Sequence, residues 1–167
     1  ALGWACWKTY VGRAETDEAR VMAMTQLGNG LSQANQNEDA LSVREAQLAM
    51  KRRLGASEGD MLLVQSNLAV TYEELGRSEE ALRMKRDVYS GYVRLRGEEN
   101  RDTCQVAENY ALALIHLKRF EESKSLLRKT IPVVRRVLGD NDGLTLRVRG
   151  VYAQALYFDA EATLDDL

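Results

Sequence analysis

The stretch SNLAVTYEELGRSEEAL (66–82) returns 42 residues later as ENYALALIHLKRFEESK (108–124). TQLGNGLSQANQNEDAL (25–41) lies over the same positions with a shift of one residue, and GVYAQALYF (150–158) begins a fourth copy. Self-similarity at a fixed period marks a chain of small units, each burying its apolar face only against its neighbours. Gly55, Gly97 and Gly139 keep the same spacing.

Within a unit the apolar spacing is helical. Val64, Leu68, Tyr72 and Leu75 recur at steps of three to four residues, as on one face of a helix. After the short break GRS (76–78), Ala81, Leu82, Val88, Tyr92 and Leu95 do the same. Each repeat therefore reads as a helix, a tight turn and a longer second helix. Asp60, Asp102 and Thr145 are placed to cap the first helices, since their side-chain oxygens can accept from free backbone N–H groups. The second helices open on acid pairs (Glu38-Asp39, Glu79-Glu80, Glu121-Glu122) and close on bases (Lys51-Arg52-Arg53, Arg94, Arg135-Arg136). Both choices favour the helix dipole. The basic clusters are thus helix-ending chemistry rather than a nucleic-acid footprint, and each is followed by a glycine suited to the left-handed C′ position. Pro132 falls mid-helix in RKTIPVVRR (128–136) and predicts a kink.

Composition fits this reading. The 167 residues are 45% hydrophobic and 29% charged, with a formal net charge of −2 and one proline. Near-balanced charge gives no field of the kind a general nucleic-acid binder presents. No apolar run approaches the ~20 residues of a membrane span, and nothing reads as a signal peptide. Cys6 and Cys104 form no disulfide framework, so an intracellular, cytoplasmic setting is expected.

Small residues recur where the two helices of a hairpin must approach: Gly28, Ala69, Ala111 and Ala153 on the first helix, Ala40, Ala81 and Ser123 on the second. Leu27, Leu68, Tyr110 and Tyr152 precede the first small position, and Leu31, Tyr72, Leu114 and Leu156 follow it. This pattern resembles the tetratricopeptide repeat. The long period, with second helices ending in Leu-Gly, resembles kinesin light chain repeats, and SNLA and ENYA keep the second asparagine of that family's Asn-Asn-Leu-Ala at Asn67 and Asn109. The family's acidic-His-Pro linker is missing, and Gln26 and Val151 stand where further asparagines would. The resemblance implies an all-α fold, a right-handed superhelical solenoid of antiparallel helix-turn-helix repeats. The expected divisions are 1–16 (end of a preceding repeat and linker), 17–59, 60–101, 102–143 and a partial repeat at 144–167.

Little in the sequence could carry catalysis. His116 is the one histidine, no GxxxxGK[ST] loop is present, and no nucleophile pairs with a base. Cys104 is expected to be a structural thiol. No enzyme activity, metal or cofactor is expected. Trp4, Trp7 and Tyr10 form a stripe that reads as core packing, with an exposed anchor surface as the alternative. Because both ends are apolar (Val151, Tyr152, Leu156, Tyr157 and Phe158 crowd the last repeat), the natural protein is expected to continue in both directions or to have its ends covered by a partner.

By the resemblance, first helices line the concave surface. The lining comprises Gln26, Asn29 and Gln33, with Met22 and Thr25; Ser66, Asn67, Val70 and Glu74, with Leu63 and Glu73; Gln105, Glu108, Asn109, Leu112 and His116; and Arg147 and Gln154, with Gly150 and Phe158. This amide-rich surface lacks a row of cations to clamp a terminal carboxylate. Asparagine amides donate and accept together, which suits holding the backbone of an extended peptide. The expected function is a non-catalytic module binding a peptide segment of a protein partner, with no specific nucleic acid. The alternative is a structural scaffold subunit buried in an assembly through its ends and convex face.

Overall fold

A computed structural model of the chain describes residues 2–159. Among them are eight α-helices and no strand: α1 (Leu2–Tyr10), α2 (Glu18–Gln33), α3 (Asn37–Arg53), α4 (Glu58–Glu74), α5 (Ser78–Arg96), α6 (Arg101–His116), α7 (Phe120–Leu138) and α8 (Gly143–Phe158). The expected start of a further helix over 161–167 lies outside the described residues. Contacts divide the chain into two compact units, Ala1–Ala81 and Leu82–Leu167.

In the first unit α1 packs on α2, α2 on α3 and α3 on α4. Gly3 brings α1 against the α2 backbone; a Cβ there would stand 3.0 Å from the Gln26 carbonyl oxygen. Trp7 packs on the cluster of Leu27, Leu31 and Ala40, whereas Trp4 is 46% exposed. The aromatic stripe is therefore split between core and surface. In the second unit α6 packs on α7 and α8, around Ala111, Ile115, Leu127, Val134, Leu144, Val148 and Ala155. Ala40, Ala69, Ala81, Ala111 and Ser123 are fully buried, and the Ser123 hydroxyl donates to the Ala111 carbonyl at 3.1 Å. The small positions thus sit where helices meet, except Ala153, which is exposed.

The turns between first and second helices share one geometry. Asn35, Gly76 and Lys118 have φ of 58°, 73° and 59°. Each turn closes with two main-chain bonds: Asn35 N–H to Ser32 and Gln36 N–H to Leu31, Gly76 to Glu73 and Arg77 to Tyr72, Lys118 to Ile115 and Arg119 to Leu114, at 2.8–2.9 Å. These are Schellman closures, which satisfy carbonyls the helix leaves open. Gly55 ends α3 the same way, while Gly97 and Gly139 have positive φ but only the single bond to the carbonyl four residues back.

The first-helix caps lie two or three residues earlier than Asp60, Asp102 and Thr145. Ser57, Asn100 and Asp142 accept from the amides of Asp60, Asp102 and Leu144, and Asp17 caps α2. A cap must sit outside the first turn to reach its free N–H groups, whereas Asp60 and Asp102 are within that turn. Thr145 is wholly buried, and its hydroxyl faces the Val134 carbonyl. Helix α7 is unbroken through Pro132, so the expected kink does not interrupt it, and Pro132 itself is exposed.

Candidate protein-interaction surfaces

In the first unit, the candidates on α2 and α4 surround a buried arginine that the sequence reading passed over. Arg44 projects from α3, 6% exposed, along Gly28, where a Cβ would touch its stem at 3.4 Å. Its guanidinium donates to the Asn67 carbonyl at 3.0 Å, to Asn29 Oδ1 at 3.1 Å and to the Thr71 hydroxyl. All three acceptors are neutral. Burial therefore pushes the Arg44 pKa down, and the charge of nearby Glu74 offsets part of that. Because Asn29 Oδ1 accepts from Arg44, the amide is held with its N–H groups turned away from the guanidinium. The Ser32 hydroxyl donates to Glu74 at 3.0 Å, and Gln47 donates to Thr25 at 2.7 Å. Asn67 and Ser66 are half-buried; Gln26, Gln33, Val70 and Glu74 are exposed. Among the described residues, the Asn67 side-chain amide has no protein partner.

In the second unit the structure joins three candidates into one polar ring. Arg147 Nε donates to both Glu108 oxygens at 3.0 and 3.3 Å; Arg147 donates to Gln105 Oε1 at 2.7 Å; Gln105 donates to Glu108 at 2.8 Å. Glu108 is 4% exposed, so it serves beneath the surface as the anion that holds Arg147. Arg147 itself keeps about half of its side chain in solvent, 51%. Asn109 is half-buried and, like Asn67, its amide has no protein partner among the described residues. Leu112 packs on the core as a partly buried residue, while His116 and Gln154 are exposed.

Arg44 was hidden because a lone arginine in a charged helix reads as surface. The repeat gives a divided signal at this position, which holds Lys85 in the second repeat and the buried Leu127 in the third; the clearer clue is Gly28, which stands where the other repeats have alanine. Among the described residues no group of three or more His, Cys, Asp or Glu could hold a metal. No described helix is long and apolar enough to cross a membrane. Burial pushes the Cys104 thiol up, away from the range of a reactive thiolate.

Helical hairpins closed by identical turns, with small residues at their contacts, define a class, and the comparison with known proteins agrees. Residues 62–102 and 103–142 each match the tetratricopeptide repeat family, so these two segments are tetratricopeptide repeats. The fold of the chain is an all-α solenoid similar to the nearly identical repeats of a kinesin-light-chain candidate from Podosopora anserina, with a TM-score of 0.77 at 19% identity, covering 92% of this chain and 72% of that one. It is also similar to BtubC (BKLC) of P. vanneervenii, with a TM-score of 0.66 at 15% identity, covering 99% and 71%. In sequence it is 24% identical over 131 residues to the clustered mitochondria protein homolog of Aspergillus fumigatus, covering 78% of this chain. The match to the homolog of Emericella nidulans is 24% over 119 residues, or 71% of this chain. The chain spans about a tenth of the length of these curated relatives.

Proposed function

We propose that the chain is a non-catalytic protein-interaction module whose first-helix surfaces hold an extended segment of a partner. The observation that carries this is the state of Asn67 and Asn109. Each is half-buried at the same repeat position, and each has an amide without a protein partner among the described residues. The amide atoms of Asn67 and Asn109 are not among the buried unpaired ones, so solvent reaches them and a ligand can meet them in its place. A peptide backbone offers the alternating donors and acceptors that an amide can meet at once. Asn29, oriented by Arg44, and Arg147, oriented by Glu108, add fixed donors in their own units. The setting is intracellular and cytoplasmic, and the repeats fall at 17–59, 60–101 and 102–143, with a partial repeat at 144–167.

The test is site-specific photocrosslinking. Probes at Val70 and Leu112, on the first-helix surfaces, are compared with probes at Arg83 and Arg128, on the second helices. Partner peptides mapped at the first pair and weakened about five- to tenfold by each asparagine-to-alanine change support the reading, one lost hydrogen bond being worth ~1 kcal/mol. Crosslinks confined to Arg83 and Arg128 would overturn it.

One observation favours the alternative, a scaffold assembled through its ends. In the second unit a groove of about 580 Å³ lies open between α7 and α8, lined by Ile131, Arg135, Leu146, Arg149, Tyr152 and Leu156. Beyond it, Tyr157 and Phe158 are 84% and 50% exposed. Self-association abolished by charges placed at Leu146 and Tyr157 would move the function there.

A further inference from the structure

We propose that the Lys124–Asp159 ion pair dictates which hairpin end α7 accepts, and so fixes the order in which the repeats stack. The observation is a paired exchange of residue type within the chain's own periodicity. At one position the second helices carry Leu41, Leu82 and Lys124. The first helices end on the C-cap residues Ala34, Leu75, Leu117 and Asp159. The second unit contains both versions of the contact. Leu82 is 3% exposed in a cluster with Ala113 and Leu114, and Leu117 packs against that cluster. One repeat later the leucine pair has become a salt bridge. The Lys124 ammonium lies 2.8 Å from Asp159 Oδ2 and 2.5 Å from Glu121 Oε1, with the side chains of Lys124 and Asp159 3% and 12% exposed.

Both members changed together, and that coordination is what discriminates. The two carboxylates hold the lysine in its charged form, Asp159 more strongly than Glu121. A leucine in place of Asp159, as found at 75 and 117, would leave the buried ammonium with Glu121 alone. Glu121 is 69% exposed, so its pairing is screened by solvent and part of the desolvation would then go uncompensated. A leucine pair carries no such penalty and accepts any apolar hairpin end. Chains of similar repeats are prone to wrong stacking and domain exchange, so a junction that penalises the wrong end protects the right order.

The full chain is compared with Asp159→Leu, Lys124→Leu and the double variant. Amide hydrogen exchange is read in α8, and the species formed on refolding from urea are read by sedimentation velocity. We expect Asp159→Leu to speed exchange in α8 by about tenfold or more, because one member of a buried pair is removed. The double variant should return α8 to parental protection yet refold with a larger share of exchanged oligomers. If Asp159→Leu does not fold, Asp159→Asn, which keeps the shape and removes the charge, gives the same comparison. Unchanged α8 exchange when the carboxylate is removed would overturn the proposal, as would a double variant that refolds to the parental distribution of species.

Discussion

Replacing Lys118 by glycine should stabilise this protein. Lys118 sits at φ 59°, the left-handed conformation that its counterpart Gly76 adopts at 73° and Asn35 at 58°. A residue with a Cβ pays roughly 1–2 kcal/mol for that conformation, and glycine none. Against the relief stands the greater backbone freedom glycine loses on folding, about 0.5–1 kcal/mol. The other terms stay fixed. The closing bonds, from the Lys118 and Arg119 amides to the Ile115 and Leu114 carbonyls, are main-chain. The lysine side chain is exposed. The net expectation for Lys118→Gly is a gain of about 0.5–1 kcal/mol. Gly76→Ala, at the same position one repeat earlier, should cost about 1 kcal/mol. Urea unfolding followed by far-ultraviolet circular dichroism measures both. With a slope near 2 kcal/mol per molar, the midpoints should move by about 0.3–0.5 M in opposite directions, with the slope unchanged. A lower midpoint for Lys118→Gly, or none for Gly76→Ala, would refute the reasoning from turn geometry.

Three further outcomes are expected. Arg44→Ala should destabilise the chain by about 2–4 kcal/mol, since it strands the acceptors at Asn29, Asn67 and Thr71 and empties the space along Gly28. Arg44→Met, of similar length, should cost clearly less in the same urea titration, because the desolvation of the charge disappears with it. Gly3→Ala would place a Cβ 3.0 Å from the Gln26 carbonyl oxygen and 3.1 Å from Leu27 Cα. Neither backbone atom can yield, so α1 should lift from α2 and the Trp7 emission should shift to the red, at a cost of about 1–3 kcal/mol. Asp142 is held below the usual carboxylate range by its hydrogen bond from Arg101 and then by the Leu144 amide. Its folded pKa lies below its unfolded value of about 3.9, so its stabilisation is present above that value and fades as pH falls through the folded pKa. Asp142→Asn should therefore flatten the acid limb of a stability-versus-pH curve below about pH 4, while leaving the slope above pH 5 alone.

The hairpin plan was legible because it is written in short-range terms. Apolar spacing, the acid pairs that open the second helices and the bases that close them all act within one or two turns of helix. The turn over 76–78 and its counterparts were placed correctly, although nothing in the sequence marked Lys118 as left-handed. The caps were misplaced by two or three residues because Asp60 and Asp102, acids in the first turn, look like caps to a reader who cannot see where the turn begins. Trp4 and Trp7 lie three residues apart on α1, and only the packing of α2 shows that one is core and the other surface.

Of the candidate surface, the sequence supplied the residues and the tertiary structure their state. The position of Asn67 and Asn109 followed from periodicity alone. That Glu108 is buried beneath Arg147, that Asn29 is turned by Arg44, and that Lys124 reaches Asp159 required knowing which side chains from different helices converge. The sequence by itself determined repeat length, helix type and helix polarity, since these rest on backbone and neighbour energies local to the chain. Only the tertiary structure decided which charges are buried and paired, because burial and pairing depend on partners 15 to 39 residues away, which helical periodicity does not reach.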